Sequence, residues 1–417
     1  MTHRILSAAV ALVATCSLVH ASVFVVDDNP GPGVDFPDIA SAVAVALGGD
    51  VVLVRPGTYG NFLVSRGIQV IGEGGVLVTG EIRIQGVPAG PRATIAKMQT
   101  SSIVVAECAA TVLLEDLVVR PTNPASSNSA IHLRNSPDIR LRGVDVEAAI
   151  GNGMHAVRID SARVEITHAR LVGGRGQFQA APQSDLDTGG DGILVTGTGV
   201  AHVSLSDARG GTGGDNFGCE SCVGGDGGRG IRLQDSASLL LTGIASDLVL
   251  GGQPGYGDTC ASDGTPGPGL AVYGGAQAQI SGVAIHGGTT LCGGFEPWVI
   301  VGPYTTASPT DPSLELSGVT LPGQVVTYTL RGAPGAAARL RLGRQAILED
   351  LPAVFEDRLV QPLRTFDLGA LPPSGTATFA LTLPSSLPSG FTVFAQASVV
   401  SPSGEVALTQ SVPITLR

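Results

Sequence analysis

The sequence predicts an all-β chain, a parallel β-helix over most of its length followed by a small antiparallel β-sandwich. Three observations carry this. The composition is 43% hydrophobic but only 4% aromatic, with 59 Gly and 27 Pro in 417 residues. That balance suits many short strands separated by tight turns rather than a globule cored by large rings. A strand motif recurs between Ala130 and Ile285, and internal repetition is the signature of a stacked architecture. After Trp298 the motif stops, and alternating strands separated by Pro and Gly run onward.

Residues 1–21 read as a signal peptide. Arg4 supplies the positive end, Ile5 to Val13 the apolar run, and Val19-His20-Ala21 a small-residue cleavage site before Ser22. The mature chain is therefore expected to be secreted or at the cell surface. The apolar run is shorter than the roughly 20 residues that a membrane span needs, and no later segment reaches that length. The net charge is −11 and Lys97 is the only lysine. With no basic tract, the chain lacks the clustered cations that nucleic-acid binding requires.

The mature chain opens with Val23-Phe24-Val25-Val26, a short strand, and a turn-rich loop from Asp27 to Gly33. From Phe36 to Leu47, the apolar residues Phe36, Ile39, Val43 and Leu47 recur at helical spacing. Pro37 suits a first helical turn, and Gly48-Gly49 ends the helix. The strand Asp50-Val51-Val52-Leu53-Val54 and Pro56-Gly57-Thr58-Tyr59 follow. This succession resembles the opening of the pectin-lyase-like right-handed parallel β-helix superfamily. The resemblance implies a right-handed coil over 22–300 whose open N-terminal end is capped by the helix. It carries no single activity, because many activities share that start.

Five segments align in the repeat, among them Ala130-Ile131-His132-Leu133, Ala156-Val157-Arg158-Ile159 and Gly230-Ile231-Arg232-Leu233. Each is followed by a second and a third short strand. One such coil cannot bury its apolar stripe alone, but stacked coils can. Ile131, Val157, Ile193, Ile231 and Leu270 are expected to form an internal column, and His132, Arg158, Leu194, Arg232 and Ala271 an outward one. The spacing grows from 26 residues (Ile131 to Val157) to 36, 38 and 39. The added length follows a Gly pair each time, at Gly173-Gly174, Gly210-Gly211, Gly251-Gly252 and Gly287-Gly288. Long polar loops at one corner stack into one face, often a binding face.

Cleavage of the signal leaves Cys108, Cys219, Cys222, Cys260 and Cys292. Cys219 and Cys260 occupy one position in successive loops, and coils stack about 4.8 Å apart, within disulfide reach. Disulfides among Cys219, Cys222, Cys260 and Cys292 are the first expectation for an exported chain. A zinc site built on Cys219-Glu-Ser-Cys222 is the second. Cys108 reads as a buried small residue. Loop carboxylates Asp191, Asp215 and Asp226, with Asp185, Asp187, Asp258 and Asp263, would be drawn together by stacking. Calcium would relieve their repulsion, although the spacing matches no known calcium repeat.

The pectin-lyase-like resemblance implies polysaccharide as substrate or ligand. The Gly-His-Gly and Arg-Ile-Lys elements of polygalacturonases, the Arg-x-Pro-x-x-Arg of pectate lyases and the Asp-Pro-His-Asp of alginate epimerases are absent. A looser set remains on two adjacent repeats: Asp145, Arg158, Asp160 and Glu165, with His132, Arg134, Arg140 and His168 beside them. Carboxylates near Arg and His could bind or cleave an acidic sugar. Three readings follow: a polysaccharide-binding or cell-surface β-helix, a calcium-assisted lyase or glycoside hydrolase with a diverged site, and a structural surface protein. Residues 301–313 read as a linker and 314–417 as the sandwich. Gly332-Ala333-Pro334-Gly335, Leu383-Pro384 and Phe394-Ala395-Gln396-Ala397 resemble a C-terminal module of secreted planctomycete-type bacterial proteins.

Overall fold

The computed structural model describes residues 21–121, 129–149, 153–177, 188–216, 223–242, 248–257, 263–290, 299–306, 312–318, 321–343, 345–349, 358–361, 364–386, 392–400, 406–409 and 412–415. Short strands with alternating apolar residues stack coil upon coil in parallel. In the first row, Ser129–Arg134, His155–Asp160, Ile193–Thr196, Ile231–Leu233, Leu270–Val272 and Ile300–Val301 pair in sequence. The second row is an 11-stranded sheet from Val23–Val26 to Thr305–Thr306, with Ile139–Arg142 and Arg163–Thr167 in its middle. The third row contains Asp145–Glu147, Arg170–Val172, Asp207–Arg209, Leu248–Leu250 and Ala284–His286. Gln99–Ala106 pairs with both the first and third rows and joins them into one 16-stranded sheet.

The internal column forms as the sequence predicts. Ile131, Val157, Ile193, Ile231 and Leu270 are in register and buried. It extends below through Ile103, Ile82 and Phe62. Each such side chain contributes about 1.5–3 kcal/mol on burial, and none could bury itself without the coils on either side. The outward column also holds its register. Leu194 and Ala271 in it lie outside the solenoid core cluster, yet they are buried.

The helix is shorter than its periodicity predicts, spanning Ile39–Val45. Asp38 is the N-cap, and its carboxylate accepts the Ser41 amide at 2.8 Å and hydroxyl at 2.7 Å. Pro37 therefore precedes the helix rather than starting it. Phe36 stacks edge-on to Phe24 instead, and Leu47 is 64% exposed. Ile39, Ala42, Val43 and Ala46 are the residues that join the solenoid core.

Two corners of the coil are held in the left-handed region. After the first row come Glu107, Asn135, Ser161, Gly197, Asp235 and Gly274, and after the second Lys97, Asp116, Gly143, His168, Leu205 and Gly282, all with positive φ. A reversal this tight turns the chain between adjacent rows at a steric cost for every residue except glycine.

The third corner opens into a lobe built from the glycine-rich loops. Outgoing arms are 173–177, 210–216, 251–257 and 287–290, and return arms are 188–192, 223–230 and 263–269. Exposure follows a three-residue period: Val223 and Asp226, or Gln253 and Tyr256, are exposed while the pairs between them are buried. That is the period of a polyproline-II helix. Glycine amides and carbonyls run through the lobe as a ladder. Gly190 donates to Gly174 (2.8 Å), Gly211 to Gly190 (2.7 Å), Gly228 to Gly211 (2.8 Å), Gly252 to Gly228 (2.7 Å), Gly267 to Gly252 (2.9 Å) and Gly288 to Gly267 (2.8 Å). A Cβ on Gly228 would sit 2.0 Å from the Gly190 oxygen, and one on Gly211 2.0 Å from that of Gly174. None of these glycines has positive φ. Close approach of main chains, as in collagen, is what excludes a side chain here.

The C-terminal strands are antiparallel and carry a separate core. Ser313–Gly318, Val325–Arg331 and Thr376–Thr382 form one sheet. Ala337–Gly343, Arg364–Ala370, Thr392–Val400, Val406–Leu408 and Val412–Thr415 form the other. Leu314, Val326, Tyr328, Leu330, Leu340, Ala395 and Ala397 fill the space between them.

Candidate functional site

The four residues nominated from sequence for catalysis fall on all three rows. Asp145 is on the third row, Glu165 on the second, and Arg158 with Asp160 on the first. Only Arg158 and Asp160 are brought together. Asp160 accepts Arg158 Nε at 3.0 Å and the Thr196 hydroxyl, and pairs with His132 Nε2 at 2.6 Å. Burial alone would raise its carboxyl, but the hydrogen bonds from Thr196, His132 and Arg158 outweigh that and hold it below the ordinary carboxylate range. Asp145 is in the same condition. Burial is outweighed by Arg120 at 2.6 Å and Arg170 at 3.1 Å, so its carboxyl is also lowered. Glu165 lies in register between Arg140 and His202, and Arg140 itself pairs with Asp138 at 3.0 Å.

The three described loop aspartates nominated for calcium each accept a main-chain amide from a neighbouring arm. Asp191 Oδ1 accepts the Arg229 amide at 2.9 Å, Asp226 Oδ1 the Thr265 amide at 2.8 Å, and Asp215 Oδ1 the Tyr256 amide at 3.0 Å. Each stitches one arm to the next. Asp215 also pairs with Arg175 at 2.5 Å, and Asp226 takes the Thr265 hydroxyl. Among the described residues no group of three or more His, Cys, Asp or Glu is arranged to hold a metal. Cys219, Cys222, Cys260 and Cys292, with Asp185, Asp187 and Asp258, lie outside the described residues. Cys108 is buried as expected, although it follows the strand ending at Ala106 rather than lying on it, and its thiol faces the Ala106 oxygen at 3.4 Å.

The cluster that sequence reasoning missed stands where the return arms rejoin the first row. Asp191, 1% exposed, has its Oδ2 2.7 Å from Arg232 Nε, an ion pair off the hydrogen-bond axis. His155, in the coil below, accepts the Asp191 amide on Nδ1 at 3.0 Å. Burial pushes its ring down to about 4; Asp191 opposes this, while Arg232, Arg158 and Arg229 add to it. The ring is therefore neutral at pH 7; its Nδ1 also lies 3.3 Å from Asp191 Oδ2, and its Nε2 lies 3.5 Å from Arg232 Nη2. A signal for the lobe was present in the glycines, which recur in threes from Gly224 to Gly230. Nothing in the spacing marks His155 as a neighbour of Arg229 and Arg232, because the lobe's arms lie between them in the chain.

Compared with known proteins, the chain matches no family model and no curated protein. The parallel solenoid and its antiparallel companion are defined by pairing and register. No helix among the described residues is long and apolar enough to cross a membrane.

Proposed function

We propose that this is an exported β-helix of the pectin-lyase-like kind that binds polysaccharide without cleaving it, using the outward face of the first row. The observation that carries the reading is the state of Asp160. A glycoside hydrolase needs one carboxyl with a raised pKa to protonate the leaving oxygen. Asp160 is instead lowered and committed to three donors, His132, Arg158 and Thr196, and Asp145 is lowered too. Such fixed, ionised groups beside arginine suit hydrogen bonding to sugar hydroxyls better than proton transfer. Export is supported by the leader-like residues 1–21, and the sandwich, which resembles modules of secreted planctomycete-type proteins, fits a cell-surface role.

The test is a panel of acidic and neutral polysaccharides offered to the full chain, with and without calcium. Retention on one of them without new reducing ends or ultraviolet-absorbing unsaturated products is the expected result. Turnover of any of them would return the lyase or hydrolase reading, and no retention on any would leave the structural one.

A further inference from the structure

In the sandwich, Thr376–Thr382 pairs with Val325–Arg331 on one side, and among the described residues no strand pairs with its other side. Its odd-numbered residues turn their main-chain groups inward. At the two ends Leu383 donates to Gln324 at 2.8 Å and Gly375 accepts from Gly332 at 2.9 Å, and the alternation of an antiparallel ladder carries that phase through the strand. Thr378, Ala380 and Thr382 therefore turn an amide and a carbonyl outward. Thr376 does the same, with the Ser374 hydroxyl near both groups at 3.4 and 3.5 Å. Outer strands usually carry a device that stops a further strand from adding. The other outer strands here do: Ser313–Gly318 has Glu315, Arg364–Ala370 has Arg364 and Asp367, Val406–Leu408 is three residues long, and Val412–Thr415 contains Pro413. Thr376–Thr382 is seven residues long, with neither charge nor proline. The sequence holds no ionisable side chain between Asp367 and Glu405, and residues 314–417 hold seven Arg against seven Asp or Glu. The −11 of the chain thus lies outside the sandwich, and two sandwiches can approach without like-charge repulsion.

We infer that this edge joins two copies of the chain, with Thr376–Thr382 pairing antiparallel to itself about Phe379. The strand's own pattern selects both partner and register. Pairing about Phe379 sets Thr376 opposite Thr382 of the second copy, Ala377 opposite its Leu381 and Thr378 opposite its Ala380. Outward-turned main-chain groups then meet their like, and the apolar face of one strand continues that of the other. Ala377, Phe379 and Leu381 are only partly buried against the sandwich core, and Phe379 lies 5.0 Å from the equally half-covered Phe366. The second copy covers what one sandwich leaves open. A single two-fold axis closes the contact, so it yields a dimer rather than a fibre. The inference does not rest on polysaccharide binding, although a dimer would present two solenoids to one polymer.

Sedimentation velocity of the full chain over a series of loading concentrations reads the association, and a monomer–dimer equilibrium is expected. Thr378 and Ala380 are exposed, so substitutions there leave the core untouched. Ala380→Lys should weaken the dimer at least tenfold. Leu47→Lys, at a 64% exposed position on the solenoid, should leave it unchanged. Thr378→Lys and Ala380→Glu, each alone, set like charges diagonally across the axis and should also dissociate the dimer. Mixed together, they place the introduced lysine directly opposite the introduced glutamate and should associate again. That recovery reports the register and shows that both variants fold. A chain that stays monomeric at every concentration, as it would if a strand of a different protein occupied the edge, overturns the proposal. So does an unchanged dissociation constant in Ala380→Lys, or a mixture that associates no more tightly than either variant alone.

Discussion

Asp191 accepts the main-chain amide of Arg229 across one coil of the solenoid, at 2.9 Å. The reason lies in the three-residue period of the arms. Of the amides in 227–229, Gly227 donates to Thr265 and Gly228 to Gly211, while that of Arg229 has no main-chain acceptor. An aspartate on the neighbouring arm supplies the missing acceptor, and the Asp226 and Asp215 bonds repeat the solution.

Asp191→Ala should therefore be costly and Asp226→Ala mild. The first removes a buried acceptor and strands Arg232, a loss of about 3–5 kcal/mol for breaking a buried pair. The second removes an exposed bond, about 1 kcal/mol. Urea midpoints give the comparison, and equal losses would mean that burial at the lobe root has been misjudged.

Gly228→Ala should disrupt the lobe, because its Cβ would lie 2.0 Å from the Gly190 oxygen and 2.8 Å from that of Gly189, both main chain. Overpacking of this kind costs about 1–3 kcal/mol. Gly31→Ala, with nothing within 4 Å of the added carbon, is the neutral control. Amide exchange at Gly211 and Gly252 reads the lobe directly; unchanged protection in Gly228→Ala would refute the packing argument.

Leu205→Gly should stabilise the chain. Leu205 holds φ at 47 where the same corner in two other coils has Gly143 and Gly282. Relief of the left-handed strain, about 1–2 kcal/mol, exceeds the added entropy of glycine, about 0.5–1 kcal/mol. A lower melting temperature in the variant would contradict this.

Stability should fall as pH drops from about 6.5 towards 4. The rings of His155 and His202 are pushed from 6.5 to about 4, both chiefly by burial. The unfolded chain takes up these protons first, so the stabilising difference is complete above the unfolded value and is lost as pH falls to the folded one. The slope is about 1.4 kcal/mol per pH unit for each histidine. His202→Asn should flatten the profile between pH 6.5 and 5; an identical slope in parent and variant would remove His202 from the account.

The solenoid was legible because its signal is local. Ile131, Val157 and Ile193 sit in alternating patterns that a single strand reveals, and stacking follows from the repeat. The helix was overextended because Phe36 and Leu47 keep its period, whereas its start is set by the Asp38 side chain, which periodicity does not register. Asp160 and Arg158 are two residues apart and were found; His155, Asp191 and Arg232 meet only after two arms have left the coil and returned. Asp191, Asp215 and Asp226 were noticed as charges, but their partners are main-chain amides, which have no letter in the sequence.

The glycine-rich interior of the lobe has a consequence for how such a protein can change. In an ordinary domain the residues that bind and the residues that hold the fold compete for the same side chains. Here cohesion is carried by glycine main chain, and positions such as Arg175, Thr212, Gln253 and Thr289 point away from it. Except where an aspartate stitches arms together, the outer surface can be rewritten one residue in three while its scaffold stays constant, a division of labour that lets recognition drift without spending stability.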